Sequence, residues 1–79
     1  MMNKMQLQAL PLQEMRALVT GGAQGIGAGI CLGLARAGAA VAIVDLQVDK
    51  AQHLATQIME SGGRAIAVSA DIFLSLKAP

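Results

Sequence analysis

A chain of 79 residues with 54% hydrophobic and 14% charged side chains suffices for one small domain, and its single aromatic leaves the core to Ala, Val, Ile, Leu and Met. At this size only about 60–65% of the unfolded surface is buried, so marginal stability is expected, while the apolar content argues against disorder over most of the length. A net charge of +1 with scattered cations excludes the basic stripe of a nucleic-acid binder, and the lone Cys31 excludes an internal disulfide and argues against a metal site.

Residues 1–14 mix polar and apolar side chains around Pro11 and read as a leader segment, ordered only where Leu12 enters the first strand. They lack the apolar core of a secretion signal, and Met15 is an alternative start. No run reaches the ~18 apolar residues of a membrane span, so a soluble, cytoplasmic chain without membrane or nucleic-acid partners is expected. Met15–Thr20 has the continuous apolar character of a short, fully buried strand.

The turn Thr20-Gly21-Gly22-Ala23-Gln24-Gly25-Ile26-Gly27 follows directly. From Gly25 to Ala37, Ile26, Ile30 and Leu34 recur every fourth residue with Cys31 and Ala35 beside them. This spacing predicts a helix, with Arg36 suited to its C-terminal dipole and Gly38 as its stop. Ala40–Val44 is a second buried strand, and it delivers Asp45 to its end, 18 residues after Gly27. A second helix begins near Asp49, with Ala51, Leu54, Ala55, Ile58 and Met59 on one stripe and Lys50, Gln52, Gln57 and Glu60 elsewhere. Gly62-Gly63 ends it, and Ala65–Val68 forms a third strand leading to Asp71. Right-handed crossovers turn this order into an α/β unit: a three-stranded parallel sheet, the first strand at one edge, with both helices on one face.

A helix N-terminus offers unpaired N–H groups and the positive end of a dipole, so the glycine turn reads as a cradle for a pyrophosphate. Gly21 permits the sharp strand exit, Gly25 lets the backbone approach the phosphates, and Gly27 lets the helix sit close to the strand. The spacing Gly-x-x-x-Gly-x-Gly is neither the Gly-x-Gly-x-x-Gly fingerprint nor a P-loop. Asp45 stands where an acid accepts hydrogen bonds from an adenosine ribose, and its charge opposes a 2′-phosphate. Neither Gln24 nor Leu46 supplies a compensating cation, so NAD is expected in preference to NADP. Asp71, at the same sheet margin, is placed to reach the adenine edge with help from the Ile72 backbone. His53 reads as a solvated helix residue and Cys31 as a small core residue.

Thr20-Gly21-x-x-x-Gly25-Ile26-Gly27, Asp45 and Asp71-Ile72, in that order, resemble the N-terminal part of a short-chain dehydrogenase/reductase over residues 12–72. The resemblance implies a partial Rossmann-like β-α-β-α-β unit, with a partial dinucleotide-binding domain at residues 15–72. It assigns the pyrophosphate and neighbouring ribose to the backbone around Gly21, Gln24 and Ile26, the adenosine ribose to Asp45, and adenine to Asp71 and Ile72. In that family an Asn-Ala-Gly segment follows the fourth strand, and a Ser with a Tyr-x-x-x-Lys motif carries the proton transfer that accompanies hydride exchange between alcohol and carbonyl. This sequence has no tyrosine, and Ser75 and Lys77 do not replace the pair, so no catalytic residue is assigned. Residues 73–79 form an atypical, truncated-looking tail.

The implied function is a NAD-binding portion of an oxidoreductase, inactive by itself. The alternatives are a non-catalytic interaction module or a gene remnant that associates with a full-length homologue; the glycine spacing and Ile26 argue against a methyltransferase. One sheet face and edge would stay open, leaving the Leu and Val positions of all three strands partly wet. A poorly stable monomer that self-associates, or that needs a homologous subunit, is therefore expected.

Overall fold

The structure, a computed structural model, describes residues 12–71; the leader up to Pro11, Ile72 and the 73–79 tail lie outside the described residues. Its elements are β1 (Arg16–Thr20), α1 (Gly25–Arg36), β2 (Ala40–Asp45), α2 (Val48–Glu60) and β3 (Arg64–Ser69). The strands form one parallel sheet in the order β1-β2-β3, with Leu18, Ala42 and Ile66 in register across it. The expected α/β topology is therefore found, with the first strand at an edge.

Both helices cover one face. Cys31 and Ala35 of α1, with Ala51, Leu54, Ala55 and Ile58 of α2, enclose Val41 and Ile43 of β2 and Ala65 of β3. Ile43 is fully buried at the centre. α1 ends as its sequence requires: Gly38, at φ 103°, takes the left-handed conformation, and its N–H and that of Ala39 donate to the carbonyls of Ala35 and Leu34. Arg64 ties the opposite end of the sheet together, its guanidinium donating to the carbonyls of Gln13 at 2.7 Å and Gly38 at 2.8 Å.

Several expectations of burial and strand bounds fail. Ile26 and Ile30, placed on the buried stripe of the first helix, are 85% and 49% exposed, and the helix instead turns Cys31 and Ala35 inward. Small residues let α1 approach the sheet, and that close approach decided its rotation against the larger side chains. Met59 is likewise half-exposed, although Ala51, Leu54, Ala55 and Ile58 form the expected buried stripe. β1 starts at Arg16, not Met15, and alternates exposed with half-buried residues because it is an edge strand covered on one side. Leu12 does not feed it; Leu12 lies in a turn with its N–H donating to the Ala37 carbonyl.

On the uncovered face Leu18 and Ile66 are 52% and 62% exposed, but Val44 is buried, so the central strand is not wet as expected. On that face the exposed large apolar side chains are those of the two edge strands. Among the described residues no helix is long and apolar enough to cross a membrane, and no group of three or more His, Cys, Asp or Glu is placed to hold a metal ion.

Candidate functional site

The turn between β1 and α1 is moored to β2. The Gly21 N–H donates to the Val44 carbonyl at 2.7 Å, and the Ala23 N–H donates to the Asp45 carboxylate at 3.1 Å. Gly21 and Gly25 adopt φ 67° and 62°, and a methyl added at either would meet no protein atom within 4 Å. Conformation, not packing, demands glycine there.

Gly27 is different: a Cβ would run into the Gly21 carbonyl oxygen and lie 2.9 Å from the Gly22 Cα. Its close contact is with the turn itself rather than with the strand. Gly22 was not singled out by the sequence, yet it is the buried floor of the turn, where a Cβ would stand 2.9 Å from the Cys31 Sγ and 3.1 Å from the Ile43 Cγ2. The only available signal was its place beside Gly21. Cys31 fills the space beneath, its thiol facing the Gly22 carbonyl at 3.6 Å, and burial pushes its pKa up. A neutral thiol with a packing role fits that position.

Above the floor the N-terminus of α1 is open. Gln24 is the cap residue, its backbone is extended, and its side chain makes no capping hydrogen bond. The N–H groups of Gly25, Ile26 and Gly27 have no carbonyl one turn back within the helix. No acid lies in the first turn. Dipole and donors are therefore directed at an anion with no internal carboxylate competing.

Asp45 ends β2 beside this opening. One carboxylate oxygen accepts from Ala23 N–H, and the other accepts from Gln47 N–H at 2.9 Å. These bonds, Gln47 first and then Ala23, hold its carboxyl below the ordinary carboxylate value; partial desolvation opposes them, and the Leu46 N–H and the Lys50 charge add smaller effects in the same direction. Asp45 thus joins three segments: β2, the glycine turn and the start of α2. Each oxygen retains acceptor capacity for a ligand hydroxyl.

Because the folded state holds this carboxyl low, its contribution to stability is complete above the unfolded value of 3.8 and is lost as pH falls through the lower folded value. Thermal midpoints recorded from neutral pH into acid are expected to fall in that acid window. In Asp45→Asn the fall should be shallower, and the neutral-pH midpoint lower; superimposable profiles for the two proteins would remove the carboxylate from this role.

A cavity of about 390 Å³ opens next to Asp45, bordered by Thr20, Gly21, Val44, Leu46, Gln47 and Ala70. A larger one, about 650 Å³, lies at the other end of the sheet among Gln13, Arg16, Gly38 and Arg64. The smaller is the better candidate, because ligands of parallel sheets bind beyond the carboxyl ends of the strands. Asp71 does not sit at a strand end as expected: β3 stops at Ser69, and Asp71 is exposed in helical backbone, with Ala70 rather than Asp71 bordering the cavity. Ile72 lies outside the described residues. On the other flank the Lys50 ammonium donates to the Gln24 side-chain carbonyl at 3.1 Å, so α2 brings a cation to the turn.

A family model for short chain dehydrogenases matches residues 15–76. The chain is 50% identical over 64 residues to hydroxynaphthalene reductase arp2 of Aspergillus fumigatus, covering 80% of this chain and 23% of that protein. It is 41% identical over 56 residues to the 7alpha-hydroxysteroid dehydrogenase of Escherichia coli K12, covering 71% of this chain and 22% of that protein. Its fold resembles a solved hydroxysteroid dehydrogenase from Escherichia coli with a TM-score of 0.73 and 38% identity, over 76% of this chain and 26% of that one. It also resembles the RhlG/NADP active-site complex of Pseudomonas aeruginosa, with a TM-score of 0.69 and 37% identity, over 76% of this chain and 24% of that one. The chain thus spans about a quarter of the length of these relatives. The expected preference for NAD over NADP finds no support in these comparisons, one of the similar structures being an NADP complex.

Proposed function

The chain belongs to the short chain dehydrogenase family, and from that premise we propose that its glycine turn binds a nicotinamide dinucleotide, NAD or NADP. The observation that carries the reading is the open start of α1: three N–H groups without helical partners, no acid in the first turn, and a backbone held by left-handed Gly21 and Gly25. These residues fit the pyrophosphate of such a cofactor, and Asp45 fits the ribose hydroxyls. The cavity bordered by Val44, Leu46 and Ala70 fits the adenine, its walls largely aliphatic.

When bound, the nicotinamide ring supplies hydride donor or acceptor chemistry to an oxidoreductase. The residues here hold and orient. Gln24, Gly25 and Ile26 supply backbone donors to the phosphates; Asp45 fixes the ribose and at the same time keeps the turn closed through Ala23. The Ser and Tyr-x-x-x-Lys set implied by the resemblance finds no counterpart, since the 79 residues contain no tyrosine. We therefore read the chain as a binding portion that turns over no substrate by itself.

A titration of the isotopically labelled chain with NAD, followed by amide NMR, tests the assignment. Shifts are expected at Gly21 to Gly27 and at Asp45 to Gln47. Shifts centred instead on Gln13, Gly38 and Arg64, or none at millimolar NAD, would overturn it.

A further inference from the structure

We propose that the uncovered face of the sheet holds a site for an amphipathic anion, a medium-chain aliphatic carboxylate, with its headgroup at Arg16 and Arg64 and its chain over Ala40 and Ala42. The charged end of this site lies at the opposite end of the strands from the glycine turn, so it does not rest on the dinucleotide.

Alternate residues of a strand share a face, and the register therefore sets the shape of this one. Arg16, Ala40 and Arg64 form one row across the three strands, and Leu18, Ala42 and Ile66 form the next. Each row has its smallest side chain on the central strand. The result is a trough along β2, floored by half-buried alanines and walled by Leu18 and Ile66, both more than half exposed.

Its dimensions select the occupant. The walls stand on strands about 9–10 Å apart, and the side chains themselves narrow that gap. A helix, about 10–12 Å across, cannot reach the floor, whereas a single alkyl chain can. The trough closes at Val44, which is buried, about 13 Å along the strand from the arginine row. That is the reach of a medium-chain tail.

A cavity of about 400 Å³ occupies the trough, bordered by Ala40, Ala42 and Ile66, with Met59 at its rim. Arg16 and Arg64 border both this cavity and the one of about 650 Å³ at the end of the sheet, beside Gln13 and Glu14. The two cations thus stand where an apolar groove opens into a polar one, which is the junction an amphipathic ligand requires.

Arg64 is already held in place. One guanidinium nitrogen makes both bonds to the Gln13 and Gly38 carbonyls, leaving three of the five N–H donors. Guanidinium N–H pairs match the two oxygens of a carboxylate. The charge balance agrees: Glu14 and Glu60 are the acids at this end of the sheet, against Arg16, Arg36 and Arg64. Carbonyls in the last turns of both helices, which would repel an anion, are occupied by the cap N–H groups of Gly38, Ala39, Gly62 and Gly63.

Titration of the isotopically labelled 79-residue chain with sodium decanoate, kept below its micelle concentration and followed by amide NMR, tests the site. Shifts are expected at Arg16 to Leu18, Ala40 to Ala42 and Arg64 to Ile66, and saturating NAD should change the decanoate affinity by less than about twofold. Decanol should bind about tenfold more weakly than decanoate, as for loss of a charge-assisted hydrogen-bonded pair. Arg16→Gln, a change at an exposed position, should weaken decanoate by about fivefold and decanol by less than about twofold. Ala42→Leu, which fills the trough between Leu18 and Ile66, should weaken both by about tenfold. Equal affinities for decanoate and decanol, competition by NAD, or no shifts on these three strands at millimolar decanoate would overturn the proposal. So would shifts at Leu18 and Ile66 that follow protein concentration and not decanoate, since the occupant would then be a second copy of the chain.

Discussion

Gly27→Ala is expected to destabilise the chain by about 3 kcal/mol and to abolish dinucleotide binding, whereas Gly33→Ala in the same helix should stabilise it by about 1 kcal/mol. Both positions lie in α1, and both substitutions add one methyl group. At Gly27 the methyl collides with the Gly21 carbonyl and the Gly22 Cα, which are backbone atoms and cannot rotate aside. Relief requires lifting the helix start from the turn, and that breaks the alignment of the N–H groups at Gly25 and Ile26. At Gly33 the methyl meets nothing within 4 Å, so only the gain in helix propensity remains. Urea unfolding of the two variants, with NAD titration, checks the contrast. Equal effects at the two positions would show that helix propensity, not turn contact, governs Gly27.

The topology was legible because each of its signals is local. Gly38 marks a helix end by its left-handed backbone, and the apolar runs around Val19, Val41 and Ala65 mark strands whatever surrounds them. The glycine turn and Asp45 were legible for the same reason: a turn and a strand end are fixed by residues adjacent in sequence.

The rotation of α1 was not legible. Periodicity favoured Ile26 and Ile30 over Cys31 and Ala35, and the preference is reversed by the closeness of the turn to the sheet at Gly22 and of the helix start to the turn at Gly27. Nor was Lys50 legible as part of the site. Its partner Gln24 is 26 residues away, and nothing in the helical pattern of α2 distinguishes an exposed lysine that faces solvent from one that crosses to a neighbouring turn. The second role of Asp45 was hidden for a related reason. An acid at a strand end reads as a ligand acceptor, while its hydrogen bond to Ala23 depends on how closely two strand ends approach in space.

The layered arrangement makes a second strong prediction, from two isoleucines on adjacent strands. Ile43→Ala is expected to cost about 3–4 kcal/mol, and Ile66→Ala less than about 1 kcal/mol. Ile43 is fully buried between β2 and the helices, and its Cγ2 lies under Gly22, so its removal leaves a cavity beneath the binding turn as well as in the core. A chain of this length has about 4–12 kcal/mol of stability in total, and at the lower end of that range, where so small a core belongs, Ile43→Ala leaves a large unfolded fraction at room temperature. Ile66 is 62% exposed on the uncovered face, and trimming it removes surface that water already reaches. Denaturation followed by circular dichroism measures both changes. A cost at Ile66 approaching that at Ile43 would mean that the face carrying Leu18 and Ile66 is covered in solution. If the parent's thermal midpoint then rose with protein concentration, the cover would be a second copy of the chain, since only association gives a stability that follows mass action.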